Sequence, residues 1–156
     1  MRKLGVTVLL LAVTAACSGT TTPSAQKTTP SPSVSPSPSL CVGKGVHISL
    51  PCPIKEFGTA DLSAQGTNVR ATFTTGDVSF DPTFVKIKPG AHVTLVLDAT
   101  GSYGLHNFII DAIGLKKNLS GSSKTTVSFT LPASGPVRFY CSIHVAQGMQ
   151  GAFYFS

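Results

Sequence analysis

Short segments in which every second residue is apolar make up most of the chain after about residue 45, and Gly, Pro or Asp separates one segment from the next. This alternation is typical of half-buried β-strands, and its repetition at short intervals indicates a β-sandwich. The sequence therefore predicts an all-β fold of about eight strands, near residues 46–50, 68–74, 78–88, 91–98, 105–111, 124–131, 136–141 and 150–155.

The same alternation predicts where three metal-ligating side chains point. His106 shares its face with Phe108, Cys141 shares its face with Phe139, and His92 lies on the polar face of its segment. Because successive side chains of a strand point to opposite faces of the sheet, we expect His106 and Cys141 in the interior. We expect His92 at the surface, where it is no ligand.

A loop after the strand that ends at Cys141 carries His144 three positions later and Met149 five positions beyond that, and His106 lies 35 residues upstream of the cysteine. Sulfur ligands select a soft metal, and two His, one Cys and a weak axial Met suit an ion that alternates between Cu(I) and Cu(II). We therefore predict one copper ion bound by His106, Cys141, His144 and Met149. Since these ligands fill the coordination sphere, the expected chemistry is electron transfer.

The Cys-x2-His-x4-Met spacing and the upstream His-Asn-Phe run resemble those of the cupredoxins, the type I blue copper proteins, and most closely the plastocyanin-like branch. The resemblance runs from about residue 78 to residue 156. It implies a Greek-key β-sandwich with one mononuclear type I copper and no catalytic residues. It also implies that the protein exchanges electrons with a donor and an acceptor protein.

Two neighbours of the ligands take roles from this resemblance. Asn107 resembles the Asn whose hydrogen bonds hold the ligand loops of cupredoxins together near the Cys sulfur, and an ordinary turn Asn is the alternative. Tyr140 resembles the Tyr at which plastocyanin has a second docking point, and an ordinary surface Tyr of a strand is the alternative. Plastocyanin has an acidic patch near that Tyr, whereas this chain has six scattered acidic residues, so the photosynthetic partner is not expected.

The loop His of cupredoxins reaches solvent, which implies the same for His144. Apolar residues surround it in the sequence, and they predict a small docking face for transient redox complexes. The alternative is that these residues simply pack the loop. The residues concerned are Leu105, Ile143, Val145 and Ala146.

The first 16 residues are typical of an export signal, with Arg2 and Lys3 before a short apolar run. That run is too short to span a bilayer as a mature helix. The following Thr14-Ala15-Ala16-Cys17 predicts a bacterial lipoprotein in which Cys17 carries the lipid. Thr14 departs from the usual Leu, so a secreted protein cut after Ala16 is the alternative. We expect an extracytoplasmic protein that is lipid-anchored to the outer face of the bacterial cytoplasmic membrane.

Residues 17–39 comprise the lipidated Cys and a linker of mostly Ser, Thr and Pro, which is expected to form an unstructured tether. Such a composition also permits O-glycosylation. The predicted cupredoxin domain is 40–156, with an N-terminal extension at 40–75 and a core at 76–156 that carries the copper site.

With Cys17 assigned to the lipid and Cys141 to copper, two cysteines remain. In an oxidising compartment Cys41 and Cys52 are expected to form a disulfide. Since His47 lies between them, a second metal site of Cys41, His47 and Cys52 is the alternative. Structural zinc needs a fourth ligand, and no further Cys or His lies nearby in the sequence.

From Leu40 onward nine basic residues face six acidic ones, and no run of Lys or Arg occurs. This argues against nucleic-acid binding and favours an anionic membrane surface or an acidic partner. We expect a monomer with no small-molecule substrate.

Three function classes compete for such a chain. A copper oxidase or reductase would need further copper sites with His-x-His pairs, which the sequence lacks, and a binuclear centre would need a second loop Cys. Copper storage, buffering or delivery is the main alternative, but it would be favoured by Met-rich or His-rich tracts, and the chain has two Met and four His. An electron carrier that is not an enzyme is therefore the main prediction.

Overall fold

The structure is a computed structural model that describes residues 37–156. The predicted signal peptide, Cys17 and nearly all of the linker lie outside the described residues. Within the described part, no helix is long and apolar enough to cross a lipid bilayer.

Twelve strands and a few single turns of 3-10 helix make up the regular structure of residues 37–156. The strands are β1 (Leu40–Val42), β2 (Ser49–Pro51), β3 (Thr59–Asp61), β4 (Asn68–Gly76), β5 (Ser79–Asp81), β6 (Phe84–Ile87), β7 (His92–Asp98), β8 (Leu105–Ile110), β9 (Leu115–Ser120), β10 (Lys124–Thr130), β11 (Val137–Tyr140) and β12 (Gln150–Phe155).

Two mixed sheets form the sandwich, with the strand orders β10-β7-β4-β5 and β3-β6-β12-β11-β8-β9. Strand β4 runs parallel to β7, and β6 runs parallel to both β3 and β12, while the other pairs in these sheets are antiparallel. Since parallel neighbours cannot be joined by a hairpin, the chain crosses repeatedly from one sheet to the other. The all-β sandwich predicted from the sequence is confirmed.

The strands differ from the predicted set in ways that have physical causes. The predicted strand 78–88 is divided into β5 and β6 around Pro82, which has no N–H to donate to a ladder. The sequence analysis missed β9, an edge strand in which the exposed Lys116 and Lys117 replace the alternation. It also missed β1 and β3, which have only three residues each.

The core between the sheets is built largely from phenylalanine. Phe139 on β11 is central, because its ring centroid lies 5.2 Å from that of Phe108 on β8 and 5.2 Å from that of Phe153 on β12. Phe73 and Phe80 from the other sheet pack against it at 5.5 and 5.6 Å. Interlocked rings of this kind hold β8 and β11, the two strands that lead into the site, in a fixed relation.

Residues 40–58, which we call the cap segment, cover the opposite face of the six-stranded sheet. Val46 and Leu50 form a small second core with Phe84 and Ala152, which alternate with residues of the main core along β6 and β12. The pair β1-β2 forms a separate two-stranded sheet within the segment.

A disulfide closes the cap segment, as predicted. Cys41 is bonded to Cys52, with the Cα atoms 5.1 Å apart. Because both thiols are consumed, the alternative metal site with His47 is ruled out.

Candidate metal centre

His106, Cys141 and His144 converge at one end of the sandwich, and their ligand atoms all lie within 4.8 Å of one another. His106 is the second residue of β8, and Cys141 directly follows β11. The two strands are antiparallel neighbours, paired at Tyr140 and Ile109. With metal–ligand bonds of roughly 2.0–2.3 Å, donors around one ion lie about 3.3–3.8 Å apart, so the cluster is about 1 Å wider than a closed metal site and small side-chain movements would close it around an ion.

His106 presents one ring nitrogen to the cluster and anchors the other. The ring is buried, its Nε2 lies 2.7 Å from Ser102 Oγ and 3.2 Å from the carbonyl oxygen of Tyr103, and its Nδ1 is buried without a hydrogen-bond partner. Nε2 therefore carries the proton, and Nδ1 is the nitrogen left for a metal.

The pKa of His106 is lowered, chiefly because burial disfavours the imidazolium, and the charge of His144 acts in the same direction. The hydrogen bond to the Tyr103 carbonyl and the charge of Asp77 oppose this shift. A lowered pKa favours the neutral ring, which is the form that binds a metal.

Cys141 is fully buried and forms no disulfide, and its Sγ accepts a long 3.4 Å hydrogen bond from the Asn107 amide. Its Sγ lies 3.6 Å from Nδ1 of His144. Both His106 and Cys141 point inward, as the alternation predicted, while His92 is exposed.

Asn107 ties the two parts of the site together. Its side-chain oxygen accepts a 2.8 Å bond from the Ser142 amide, and its side-chain nitrogen donates a 2.9 Å bond to Ser142 Oγ. Asn107 lies within β8, so the alternative of a turn Asn is ruled out. The two bonds fix the residue after Cys141 to the residue after His106.

The loop from Cys141 to Met149 is closed by its own backbone. The Cys141 amide donates to the Met149 carbonyl at 3.0 Å, and the Met149 amide donates to the His144 carbonyl at 3.2 Å. Gly148 has a positive φ of 94°, a conformation that glycine adopts without steric cost and that returns the chain toward β12. Met149 is fully buried beside the main core, at the end of the loop that carries Cys141 and His144.

The surface around the half-buried His144 exposes large apolar side chains. Leu105 is 69% exposed and Ile143 is 53% exposed, so these two do not pack the loop, and Val145 is half-buried. Tyr103, which the sequence analysis did not select, is 85% exposed and precedes Leu105 by two residues.

Tyr140 is partly buried on the outside of the six-stranded sheet. Its hydroxyl donates to Asp111 at 3.2 Å, and the Arg138 guanidinium lies 4.5 Å from its ring centroid. Burial raises the pKa of Tyr140, and the hydrogen bond to Asp111 raises it further.

The sequence analysis did not select Ser102 or Gln150, although both contact the site. Ser102 precedes His106 by four residues in a loop, where nothing in the sequence distinguishes it from other serines. Gln150 follows Met149 and is only 1% exposed. Its position directly after a predicted ligand is a signal that could have been noticed.

Comparison with known proteins extends these observations. The sequence profile of a family described as copper binding proteins, plastocyanin/azurin family, matches residues 67–155. A sequence search of curated proteins gave no significant match.

Two solved structures with TM-scores of 0.50 or more share the fold, and a third structure, of auracyanin, has a lower score. The metal-binding domain of the Cu(I)-exporting P-type ATPase of Streptococcus pneumoniae aligns over 64% of this chain and 96% of that domain, with 13% identity and a TM-score of 0.52. Copper nitrite reductase of Nitrosomonas europaea aligns over 57% of this chain and 41% of its own, with 18% identity and a TM-score of 0.50. Auracyanin of Roseiflexus castenholzii aligns over 56% of this chain and 96% of its own, with 20% identity and a TM-score of 0.48.

The donor set fits copper better than other ions. One sulfur and two imidazole nitrogens form a set that suits copper, and within residues 37–156 the buried Nδ1 of His106 has no hydrogen-bond partner. One such cluster of His, Cys, Asp or Glu occurs in residues 37–156. With the family profile covering more than half of its length, the chain belongs to the plastocyanin/azurin family of copper-binding proteins and has a single copper site at this cluster.

Proposed function

We propose that the protein is a blue copper protein that carries single electrons between redox partner proteins, with copper held by His106, Cys141, His144 and Met149. The observation that carries this proposal is the convergence of the two His and the Cys in a buried, hydrogen-bonded site. Copper supplies the one-electron Cu(I)/Cu(II) couple, and the protein supplies a fixed set of donors.

The rigidity of the donors supports fast electron exchange. Ser102 holds His106, Asn107 holds Ser142 next to Cys141, and backbone bonds close the loop to Met149. A site whose ligands are held by the fold rearranges little between oxidation states, and a small rearrangement lowers the barrier to electron transfer.

The route of the electron is proposed to pass through His144. Its ring is the half-buried member of the cluster, and its centroid lies 4.8 Å from that of the His106 ring. The exposed Ile143 adjoins His144 in the chain, and the exposed Leu105 adjoins His106. A small apolar face suits transient docking, because the complex must form and separate quickly.

We further propose that the protein is not an enzyme. Four ligands leave no coordination position for a substrate, in contrast to catalytic metal sites. The likeness to part of a nitrite reductase concerns the fold.

We also propose that a lipid on Cys17 anchors the domain to the outer face of the cytoplasmic membrane through the linker, and that the domain acts as a monomer. The sequence pattern Thr14 to Cys17 and the Ser/Thr/Pro-rich linker support this proposal. The donor and the acceptor are then other extracytoplasmic redox proteins.

The first experiment is an optical and EPR spectrum of the copper-loaded protein, with a redox titration. Because charge transfer from thiolate to copper requires Cys141, Cu(II) protein should be intensely coloured and Cys141→Ser should not be. A reversible one-electron couple is expected. An unchanged spectrum in Cys141→Ser would contradict the copper assignment of that residue.

The second experiment separates a carrier from a protein that stores or delivers copper. Ile143→Glu places a charge beside His144, and it should slow stopped-flow electron exchange with a physiological partner while copper affinity stays the same. Ser128→Glu, at an exposed position on the other sheet, is the matched control and should have no effect. Slow electron exchange in the wild type with fast copper transfer to an acceptor apo-protein would favour copper delivery instead.

A further inference from the structure

Met149 is flanked on both sides by residues that the cap segment holds. The Lys55 amide donates a 2.9 Å hydrogen bond to the Gly148 carbonyl. The Gln150 side-chain nitrogen donates to the carbonyl oxygens of Pro51 and Pro53. The cap segment therefore contacts the residue before the axial ligand and the residue after it.

Gln150 is a buried polar side chain whose amide nitrogen donates both of its hydrogens in these contacts. It is 1% exposed, and its side-chain oxygen accepts a 2.8 Å bond from Arg138 Nε on the neighbouring β11. Because the amide nitrogen has acceptors and the amide oxygen has a donor, a flipped side chain would leave these buried polar groups unpaired, so one orientation is favoured. Gln150 thus links the cap segment, β11 and the end of the ligand loop.

The cap segment also packs closely against the backbone of Gly148. A Cβ added to Gly148 would lie 2.7 Å from the Lys55 amide nitrogen, so the cap segment lies against the backbone of the ligand loop with no room for a side chain. This contact is made on the loop that carries His144 and Met149.

The cap segment is itself fixed to the sheet beyond these contacts. A Cβ on Gly43 would meet the Phe84 ring at 2.3 Å, and at the other end the Phe57 amide donates to Thr83 Oγ1 at 2.7 Å. The disulfide joins the strand at Cys41 to the residue between Pro51 and Pro53. The Pro51 and Pro53 carbonyls, which accept hydrogen bonds from Gln150, are therefore held in place.

We propose that the cap segment positions Met149 through Gln150 and Gly148 and thereby sets the reduction potential of the copper site, with Gln150 as the principal positioning residue. This inference rests on the proposed function. The family match begins at residue 67, so the cap segment lies outside the part of the chain that the family profile describes. An axial Met is a weak ligand, so the potential responds to how firmly its backbone is held.

The experiment uses copper-loaded protein carrying Gln150→Leu or Gln150→Glu. The Leu variant loses every side-chain hydrogen bond, whereas the Glu variant keeps an acceptor for Arg138 and loses the donor to Pro51 and Pro53. The Leu variant should show an upward shift in reduction potential, because a less firmly held thioether stabilises Cu(II) less. Both variants should show a changed intensity ratio of the visible bands, and the potential is compared for the Leu variant alone because the carboxylate of Glu adds a charge that itself favours Cu(II).

Two matched pairs keep the result interpretable. Lys55→Pro removes the amide that bonds Gly148, while Lys55→Ala keeps it, so the potential should shift in the first and stay unchanged in the second. Val127→Ala, in the core under β10 and away from the cap segment, should lower the melting temperature with no shift in potential.

A measurement without copper provides an independent readout. In apo-protein, hydrogen exchange of the Met149 amide, which is bonded to the His144 carbonyl, should be faster in Gln150→Leu than in the wild type. The Val127→Ala variant should leave it unchanged.

The outcomes are distinct. The inference is overturned if the wild type has a reversible couple and the variants lower only the melting temperature. The potential, the spectrum and the hydrogen exchange of the Met149 amide would then all stay unchanged, and the cap segment would be a structural cover only. Wild-type protein without a reversible one-electron couple would instead remove the proposed function.

Discussion

At the scale of single residues, the two ring nitrogens of His106 have different surroundings. One is bonded to Ser102 Oγ and the Tyr103 carbonyl, while the other is buried and has no partner. A metal-ligating His usually donates its other ring N–H to a fixed acceptor, which sets the tautomer and the ring orientation. Ser102 is therefore a positioning residue: it contacts Nε2 of His106, while Nδ1 is the nitrogen available to copper.

The first prediction concerns this serine. Ser102→Ala removes the 2.7 Å contact to Nε2 and leaves the longer one to the Tyr103 carbonyl, so copper affinity should fall by roughly 10–100-fold while the protein stays folded. Competition titration against a copper chelator measures this affinity. Ser128→Ala, which removes an exposed serine hydroxyl on β10, is the control and should bind copper like the wild type. Equal affinity in both variants would contradict the role given to Ser102.

The second prediction concerns the axial ligand. Met149→Gln replaces a soft, weakly bound thioether by a harder oxygen donor that stabilises Cu(II) more strongly, so copper should remain bound and the reduction potential should fall. A redox titration of both proteins gives the difference. Complete loss of copper, or a higher potential, would show that Met149 does not act as a soft axial ligand.

What the sequence revealed at this scale depended on distance along the chain. Cys141, His144 and Met149 lie within nine residues, so their spacing alone carries chemical information. The cap-segment partners of Gln150 are 97 and 99 residues away, and only the folded chain brings them together. Ser102 lies close to His106 in the sequence, but the contact between the two side chains depends on the path of the loop between β7 and β8.

At the scale of elements, the neighbouring strands β8 and β11 bring the first His and the Cys together, and the aromatic core under them limits how far either can move. Alternation predicted the strands that have one buried face, such as β7 and β10. Alternation did not predict β9, because an exposed edge strand carries lysines where a half-buried strand would carry apolar residues. It also did not predict the packing of the cap segment. There Val46 and Leu50 pack on the outer face of the sheet, and no pattern in the sequence indicates that this face is covered.

The third prediction concerns the element that closes the cap segment. Because the bridge spans 11 positions, Cys41→Ser with Cys52→Ser should lower the free energy of unfolding by about 2–3 kcal/mol. Urea denaturation of the apo-protein measures this change, and reduction of the wild-type disulfide before denaturation should reproduce it. The blue colour should remain, because Cys141 is untouched. Loss of the colour would mean that the bridge is needed to assemble the ligands themselves.

At the scale of the whole molecule, the net charge agrees with the anchoring that we propose. The chain has a formal charge of +6, of which +3 belongs to residues 40–156, where nine basic residues face six acidic ones. A modest positive charge suits a domain that works near an anionic membrane surface. From composition alone, a Ser/Thr/Pro-rich linker of 22 residues is expected to span about 3 Å per residue, which would place the proposed reach from that surface on the order of 60 Å. Such a reach would allow one anchored protein to meet a donor and an acceptor in turn.

The fourth prediction tests the anchor on which this arrangement depends. If Cys17 is acylated, native protein expressed in a bacterium that processes lipoproteins should partition with the membranes, because several acyl chains bind far more firmly than one. Cys17→Ala should either remain unprocessed or appear in the soluble fraction, whereas Ser31→Ala, a change within the linker, should behave like the wild type. Fractionation with immunoblotting gives the distribution, and mass spectrometry of the N-terminal peptide shows whether lipid is present.

Native protein found wholly in the soluble fraction, with an unmodified Cys17 or a terminus created by cleavage after Ala16, would contradict the anchor and favour a secreted carrier. The copper site would be unaffected by that outcome, but the carrier would then diffuse between its partners, and the rate of electron delivery would depend on its concentration rather than on the reach of the linker.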